Sequence, residues 1–275
     1  MLSYLPKDFQ WPSHLSHWPV VSAHMIRDDL LEDGSGKQNY ALGLVDELKY
    51  SEEEHGRFRR LYHQQLPKWE KWASLDHLEG LKSLKLSEGI PSFKDINEYL
   101  FHKTGMVVVG VNGLLKNEDF FELLANKIFP VTWWLRKESE FHYIVEPDLF
   151  HDLAGHVPAL SIPKVADFMR MFGAEGLKWK DDVDHMKKLG ALYWFTAEFG
   201  LIQENGLKVW GAGILSSSGE IEWSMSPGAE KKPLVSIEEV MNSSFRIDQM
   251  QPFYFVLPSW SSLDQWFCSK KGLVF

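Results

Sequence analysis

Residues 189–202 (LGALYWFTAEFGLI) are apolar on nearly every side and yet contain one carboxylate, Glu198. A helix of that kind cannot lie on a surface, so it must run through the body of the fold with other elements packed round it. The rest of the chain can supply them. Of its 275 residues 44% are apolar, enough for one large domain, and 12 Trp, 18 Phe and 8 Tyr imply an aromatic core, an aromatic-lined pocket, or both. The carboxylate is the anomaly. Buried there, it is costly unless it pairs with one of the 29 Lys or Arg residues or binds a metal.

A formal charge of −9 leaves no basic balance for gripping nucleic acid. The single cysteine, Cys268, cannot form an intramolecular disulfide and fits a reducing compartment. Residues 1–15 have neither the charged start nor the apolar segment of a secretory signal. Apolar runs such as Met106–Val109 are far too short to span a bilayer. The expectation is a cytoplasmic protein with no nucleic-acid or membrane partner.

Local signals predict a mainly α fold with a few short β-strands, as one domain over 1–275. Residues 33–39 (DGSGKQN) read as a loop. Ser51 and Glu54 form a capping box that opens a helix with apolar Phe58, Leu61 and Tyr62. Ser92 caps a helix from Asp95 to Lys103 that stops at Gly105, and Val107–Val109 is a short strand leading into a turn at 111–113. Helices are expected over 117–129, from Pro163 to Gly173 and from Asp184 to about Ile202. Val209–Leu215 and Ile221–Ser224 look extended around a turn at 216–219. Ser236 with Glu239 makes a second capping box, and Phe253–Leu257 reads as a buried strand.

Of 11 histidines, two stand out: His151 and His156, separated by Asp-Leu-Ala-Gly. A zinc-protease helix places its pair four apart with Glu after the first, so that both rings share a face. Here the gap is five and Asp152 follows His151. On a regular α-helix that gap turns the rings about 140° apart. To meet at one metal they need a π-bulge or a helix end between them, and Gly155 offers such a break. The alternative is a pair of ordinary core or surface histidines. With Glu198 they would complete a two-His-one-carboxylate set, which leaves open positions on ferrous iron.

Three runs carry a resemblance: Glu146–Pro158 (EPDLFHDLAGHVP), Leu192–Gly200 (LYWFTAEFG) and Gly211–Ser217 (GAGILSS). In this order they closely resemble the iron-binding and active-site motifs of the pterin-dependent aromatic amino acid hydroxylases, most of all the bacterial phenylalanine 4-hydroxylases. The likeness runs from about Thr104 to about Val256. It implies a hydroxylase-like catalytic domain in which His151, His156 and Glu198 bind Fe(II). Asp148 would orient the first ligand, or cap its helix, or both.

The resemblance also implies a tetrahydrobiopterin site from Val111 to Phe120. Gly113 would let the backbone approach the pterin, Leu114 and Leu115 would offer main-chain hydrogen bonds, and Phe120 a stacking face, although its pattern also suits a core residue. Asn117 stands where a Ser is common in the animal enzymes. Arg136 would grip the substrate carboxylate with its two-point fork. Trp194 and Phe199 would wall the substrate ring, Ser216 would hydrogen bond near its amino-acid end, and Tyr193 would lie beside the iron. Tyr193 and Ser216 have packing and turn roles as their plain alternatives.

The reaction implied is hydroxylation of phenylalanine to tyrosine, with dioxygen as co-substrate activated by iron and pterin together. The same chemistry on tryptophan or tyrosine is the nearest rival, and the bulk of Trp194 together with Val256 favours phenylalanine. A zinc hydrolase would use the same ligand types, and a non-enzymatic binding role would have no use for a full triad. Animal relatives carry regulatory and oligomerisation segments for which this chain has no counterpart, so a monomer with small-molecule partners only is expected.

Overall fold

The computed structural model describes residues 2–16, 18–22, 44–46, 48–113, 115–141, 146–246 and 249–263. The expected loop at 33–39, Leu114 and Cys268 lie outside these residues.

Ser51 opens the longest helix among the described residues, α1 (Glu52–Trp72), through the full capping box with Glu54, and the helix buries Phe58, Leu61, Tyr62 and Trp69. Its inner face reaches the site-bearing half of the chain. Gln65 Nε2 and Trp69 Nε1 both donate to the Leu215 carbonyl, at 2.9 and 2.8 Å. After α2 (Leu75–Ser83) comes α3 (Phe93–Thr104), capped by Ser92 and ended by Gly105 in the left-handed region at φ 73°. Only glycine adopts that conformation without strain.

Among the described residues there are two four-stranded sheets. In the first, β1 (Val20–Ser22) pairs in parallel with β2 (Leu44–Asp46), which runs antiparallel to β3 (Val107–Val111). The last strand, β4 (Ile128–Thr132), lies parallel to β3. The helix expected over 117–129 is therefore shorter: α4 covers Asn117–Ala125. Lys127 takes a left-handed φ of 60° and turns the chain into β4. Ile128 and Phe129 are buried as strand residues of an apolar run that continues without a break in hydrophobicity.

Next come α5 (Val157–Leu160), α6 (Pro163–Lys178), longer than expected, and α7 (Val183–Tyr193). The expected helix to Ile202 stops sooner, because the chain turns at Gly200 into β5 (Leu201–Glu204) and β6 (Gly206–Val209). The predicted strands at 209–215 and 221–224 are mostly helical instead, as α8 (Ala212–Leu215) and α9 (Ser218–Met225). The serine cluster at 216–219 is not a hairpin turn: Ser217 is the N-cap of α9 and accepts from Glu220 N–H at 3.2 Å. β7 (Glu230–Pro233), α10 (Ile237–Met241) and β8 (Phe253–Leu257) follow, giving a second sheet of order β6-β5-β8-β7. Ser236 accepts from Glu239 N–H at 3.4 Å, the serine half of the expected box.

Aromatic residues supply most of the largest fully buried side chains of the core. Phe150, next to His151, packs on Phe58 (5.4 Å) and Trp69 (6.1 Å), so the ligand segment is backed by rings. Among the described residues no helix is long and apolar enough to cross a membrane.

Candidate active site

Asp148 starts the first ligand segment by capping it, its Oδ1 accepting the His151 backbone N–H at 3.0 Å. From His151 to His156 the backbone winds as a π-helix. That wider turn, closed by i→i+5 bonds, brings residues five apart onto one side. The two imidazole centroids lie 5.0 Å apart. Gly155 does more than interrupt the helix. A Cβ there would come 2.9 Å from the Cβ and the carbonyl oxygen of Ala212, so glycine lets α8 press against the ligand turn.

The third candidate ligand, Glu198, arrives by the same deformation. Trp194–Glu198 continues α7 as a second π-helical turn, with Phe199 N–H donating to the Trp194 carbonyl at 2.8 Å. Glu198 Oε1 stands 3.0 Å from His156 Nε2, and Oε2 stands 3.6 Å from His151 Nε2. All three donor atoms lie within 4.8 Å of one another.

The hydrogen bonds fix the tautomer of His151. Ser216 Oγ gives its one hydrogen to the Ala212 carbonyl at 2.8 Å. Its 2.9 Å contact with His151 Nδ1 is then donated by the ring. The proton sits on Nδ1 and the Nε2 lone pair faces Glu198. Burial pushes His151 down to about 4, so the ring is neutral. For His156, burial acts in the same direction, but the charge and hydrogen bond of Glu198 prevail and hold it above the usual imidazole range. Burial would raise Glu198, yet the two imidazoles outweigh it and keep the carboxyl below its ordinary value. A lone pair and a carboxylate that face each other across a small gap are the donor chemistry a divalent cation satisfies, with release of the His156 proton.

Around the triad stand the rings. Trp194 packs on Phe199 at 4.4 Å and 32°, and on Phe245 at 4.6 Å and 17°. Tyr193 lies 6.2 Å from His156 and 5.6 Å from Phe120, joining the Phe120 side to the ligand side. Arg136 is buried, and its Nε and Nη2 donate to the two oxygens of Asp148 at 2.8 and 2.7 Å. The same carboxylate thus holds both the guanidinium and the start of the ligand helix.

A model of the biopterin-dependent aromatic amino acid hydroxylase family matches residues 31–268. The chain belongs to that family. It is 41% identical over 225 residues to the phenylalanine-4-hydroxylase of Mesorhizobium japonicum, covering 80% of each chain. It is 40% identical over 217 residues to that of Chromobacterium violaceum, covering 78% of this chain and 73% of the relative. A solved structure of the Chromobacterium violaceum enzyme, with bound iron(III) and the oxidised cofactor 7,8-dihydrobiopterin, superposes with a TM-score of 0.75 at 40% identity, over 79% of this chain and 80% of that one.

In this hydroxylase Val111 ends β3, and its carbonyl accepts from Trp133 N–H at 3.1 Å. Gly113 has φ +157°, and a Cβ there would meet nothing within 4 Å, so the backbone borders open space. Leu115 and Phe120 are half-buried. Phe120 packs against the core beside Phe121 and Tyr193. Val256 sits in β8, in register with Leu201 and Pro233. Ser216 hydrogen bonds to His151 and to the Ala212 carbonyl.

Sequence reasoning noted Asp152 only as a departure from the zinc-protease pattern and passed over Phe245 and Gln251. Asp152 is buried between the two histidines, and its Oδ2 accepts from Thr132 N–H at 2.6 Å, tying the ligand turn to β4. Burial raises its carboxyl to about 7. A charged residue inside an otherwise apolar ligand segment was the signal available. Phe245 and Gln251 carry no such signal, since their roles depend on folding back over Trp194.

Proposed function

We propose that this chain is an iron- and tetrahydropterin-dependent phenylalanine 4-monooxygenase that converts L-phenylalanine to L-tyrosine. One observation carries the reading: two π-helical turns converge so that His151, His156 and Glu198 face one point, with Trp194 and Phe199 rooted in the second turn beside them. Iron and the pterin, when bound, would supply the activation of dioxygen.

The chain's own residues do the remaining work. His151, His156 and Glu198 would hold the metal, and three protein ligands would leave coordination positions open for reactants. Trp194 and Phe199 place the aromatic ring, and their apolar surfaces keep water away from it. Arg136 has five N–H groups, of which Asp148 engages two through the side chain, so others are left for a substrate carboxylate. Phe120 offers a face to the pterin, and Gly113 lets the backbone come close. Tyr193, whose phenol burial raises well above its usual value, stays a neutral hydroxyl beside the ligands.

The deciding experiment supplies the purified chain with Fe(II), tetrahydropterin and dioxygen, and identifies products from phenylalanine, tyrosine and tryptophan. Tyrosine from phenylalanine as the main product is expected. Preferential attack on tryptophan or tyrosine, or turnover that persists with zinc and without pterin, would overturn the assignment. A cytoplasmic, monomeric state belongs to the same proposal. The lone cysteine supports a reducing compartment, and size-exclusion chromatography of the iron-loaded protein tests the monomer.

A further inference from the structure

Behind the substrate wall a single buried side chain has every polar atom committed. Gln251, 1% exposed, accepts the Trp194 indole N–H on its Oε1 at 3.1 Å. Its Nε2 donates to the carbonyls of Arg246 and Gln249, at 2.8 and 3.1 Å. Its backbone is held as firmly. The N–H donates to Glu220 Oε1 at 3.0 Å, and the carbonyl accepts the Trp223 indole N–H at 2.8 Å. Glu220 Oε1 also accepts from the hydroxyl of Tyr254 in β8.

The amide therefore cannot rotate without breaking several bonds, and its orientation is fixed by the network, with the oxygen toward the indole and the nitrogen toward two carbonyls. It joins three things: the first residue of the ligand-bearing π-turn, the segment that carries Phe245 onto Trp194, and the α9–β8 framework. An indole packed only by rings can slide and tilt, because ring stacking is weakly directional. One hydrogen bond at its N–H removes that freedom.

We propose that Gln251 is a positioning residue that sets the plane of the Trp194 indole and, through it, the fit of the aromatic substrate ring. The proposal rests on Trp194 being part of the substrate wall, as assigned above. Gln251 touches no reacting atom; its effect passes through Trp194. A loosened indole would let the ring sit off the productive position while iron and pterin still react, so the expected fault is loss of coupling between cofactor oxidation and product formation.

The test uses the iron-loaded enzyme and whichever of phenylalanine, tyrosine or tryptophan the wild type hydroxylates. Gln251→Met keeps length and volume and removes the amide. Removing one buried bond of this kind predicts a roughly two- to tenfold rise in KM for the amino acid. Product formed per tetrahydropterin oxidised should fall, while KM for pterin and iron content stay unchanged. Gln251→Glu, which keeps an oxygen for the indole, should recover part of the coupling. A double-mutant cycle with Trp194→Phe separates positioning from mere packing. If Gln251 acts through the indole, Gln251→Met adds little once the indole N–H is gone. Fully additive losses, or a lower melting temperature with coupling and KM intact, would overturn the proposal. A wild type that hydroxylates none of the three would overturn both this inference and the proposed function, whereas turnover of tyrosine or tryptophan alone would sink only the latter.

Discussion

The two π-helical turns deform the backbone alike but are held by different forces. His151–His156 is fixed by polar contacts: Asp148 at its first residue, Ser216 on the His151 ring, Asp152 tied to β4. Trp194–Glu198 is set mainly among rings, with Phe199 and Phe245 on Trp194 and Phe253 stacked on Phe195 at 5.1 Å. Hydrogen bonds are directional and ring contacts tolerant, so the first turn can dictate where a lone pair points, while the second can hold a wall shaped to an aromatic guest. The candidate site thus has a metal half held by several hydrogen bonds and a substrate half held chiefly by rings, with the Trp194 indole pinned at its single N–H.

The comparison breaks most completely at the metal. His156→Ala should abolish iron retention and turnover, whereas His185→Ala, whose ring stacks on Trp179 at 4.7 Å away from the triad, should change little. Metal analysis of the purified variants checks this, and an iron-replete, active His156→Ala protein would remove the ligand assignment.

Arg136 stands where the two halves meet. Arg136→Ala would leave Asp148 buried without its partner, at a cost of about 3–5 kcal/mol in stability. The unpaired substrate carboxylate should lower kcat/KM for phenylalanine on the order of 10²- to 10³-fold. Arg136→Lys should restore only part. Wild type should discriminate strongly between phenylalanine and phenethylamine, which lacks the carboxylate, and the alanine variant far less. Equal discrimination by both would confine Arg136 to the capping network.

The smallest effect sharpens the polar half. Ser216→Ala removes the acceptor that fixes the His151 tautomer, and loss of such a partner typically lowers metal affinity about 10- to 100-fold. The fold should persist, because Gln65 and Trp69 still hold the Leu215 carbonyl. A competition titration with a chelator measures it; unaltered affinity would mean that the ring is oriented by its backbone alone.

Much of this was legible in the chain. Ser51, Ser92 and Gly105 marked helix ends through local hydrogen bonding, and the structure keeps all three. The five-residue gap between His151 and His156 already required an abnormal helix. The second π-turn was not foreseeable, because one carboxylate has no spacing to betray the winding beneath it. The strand at 128–132 was hidden by hydrophobic continuity with α4. The helices at 212–215 and 218–225 were hidden because Ser217 reads equally as turn or cap until its partner, Glu220 N–H, is known. Gln251 became visible only when β8 brought it under Trp194.

The contact between Gly155 and Ala212 limits how this chain can be engineered for heat tolerance. Replacing helical glycines by alanine commonly gains about 0.4–1 kcal/mol by restricting the unfolded chain. Gly190 in α7 invites that change, since an added Cβ would meet nothing within 4 Å. Gly155 forbids it. There the new methyl would reach Ala212 at 2.9 Å and pry α8, with Ser216 just beyond it, away from the His151 ring. Gly155→Ala should therefore lower the melting temperature and the metal affinity together, whereas Gly190→Ala should raise the first and leave the second unchanged.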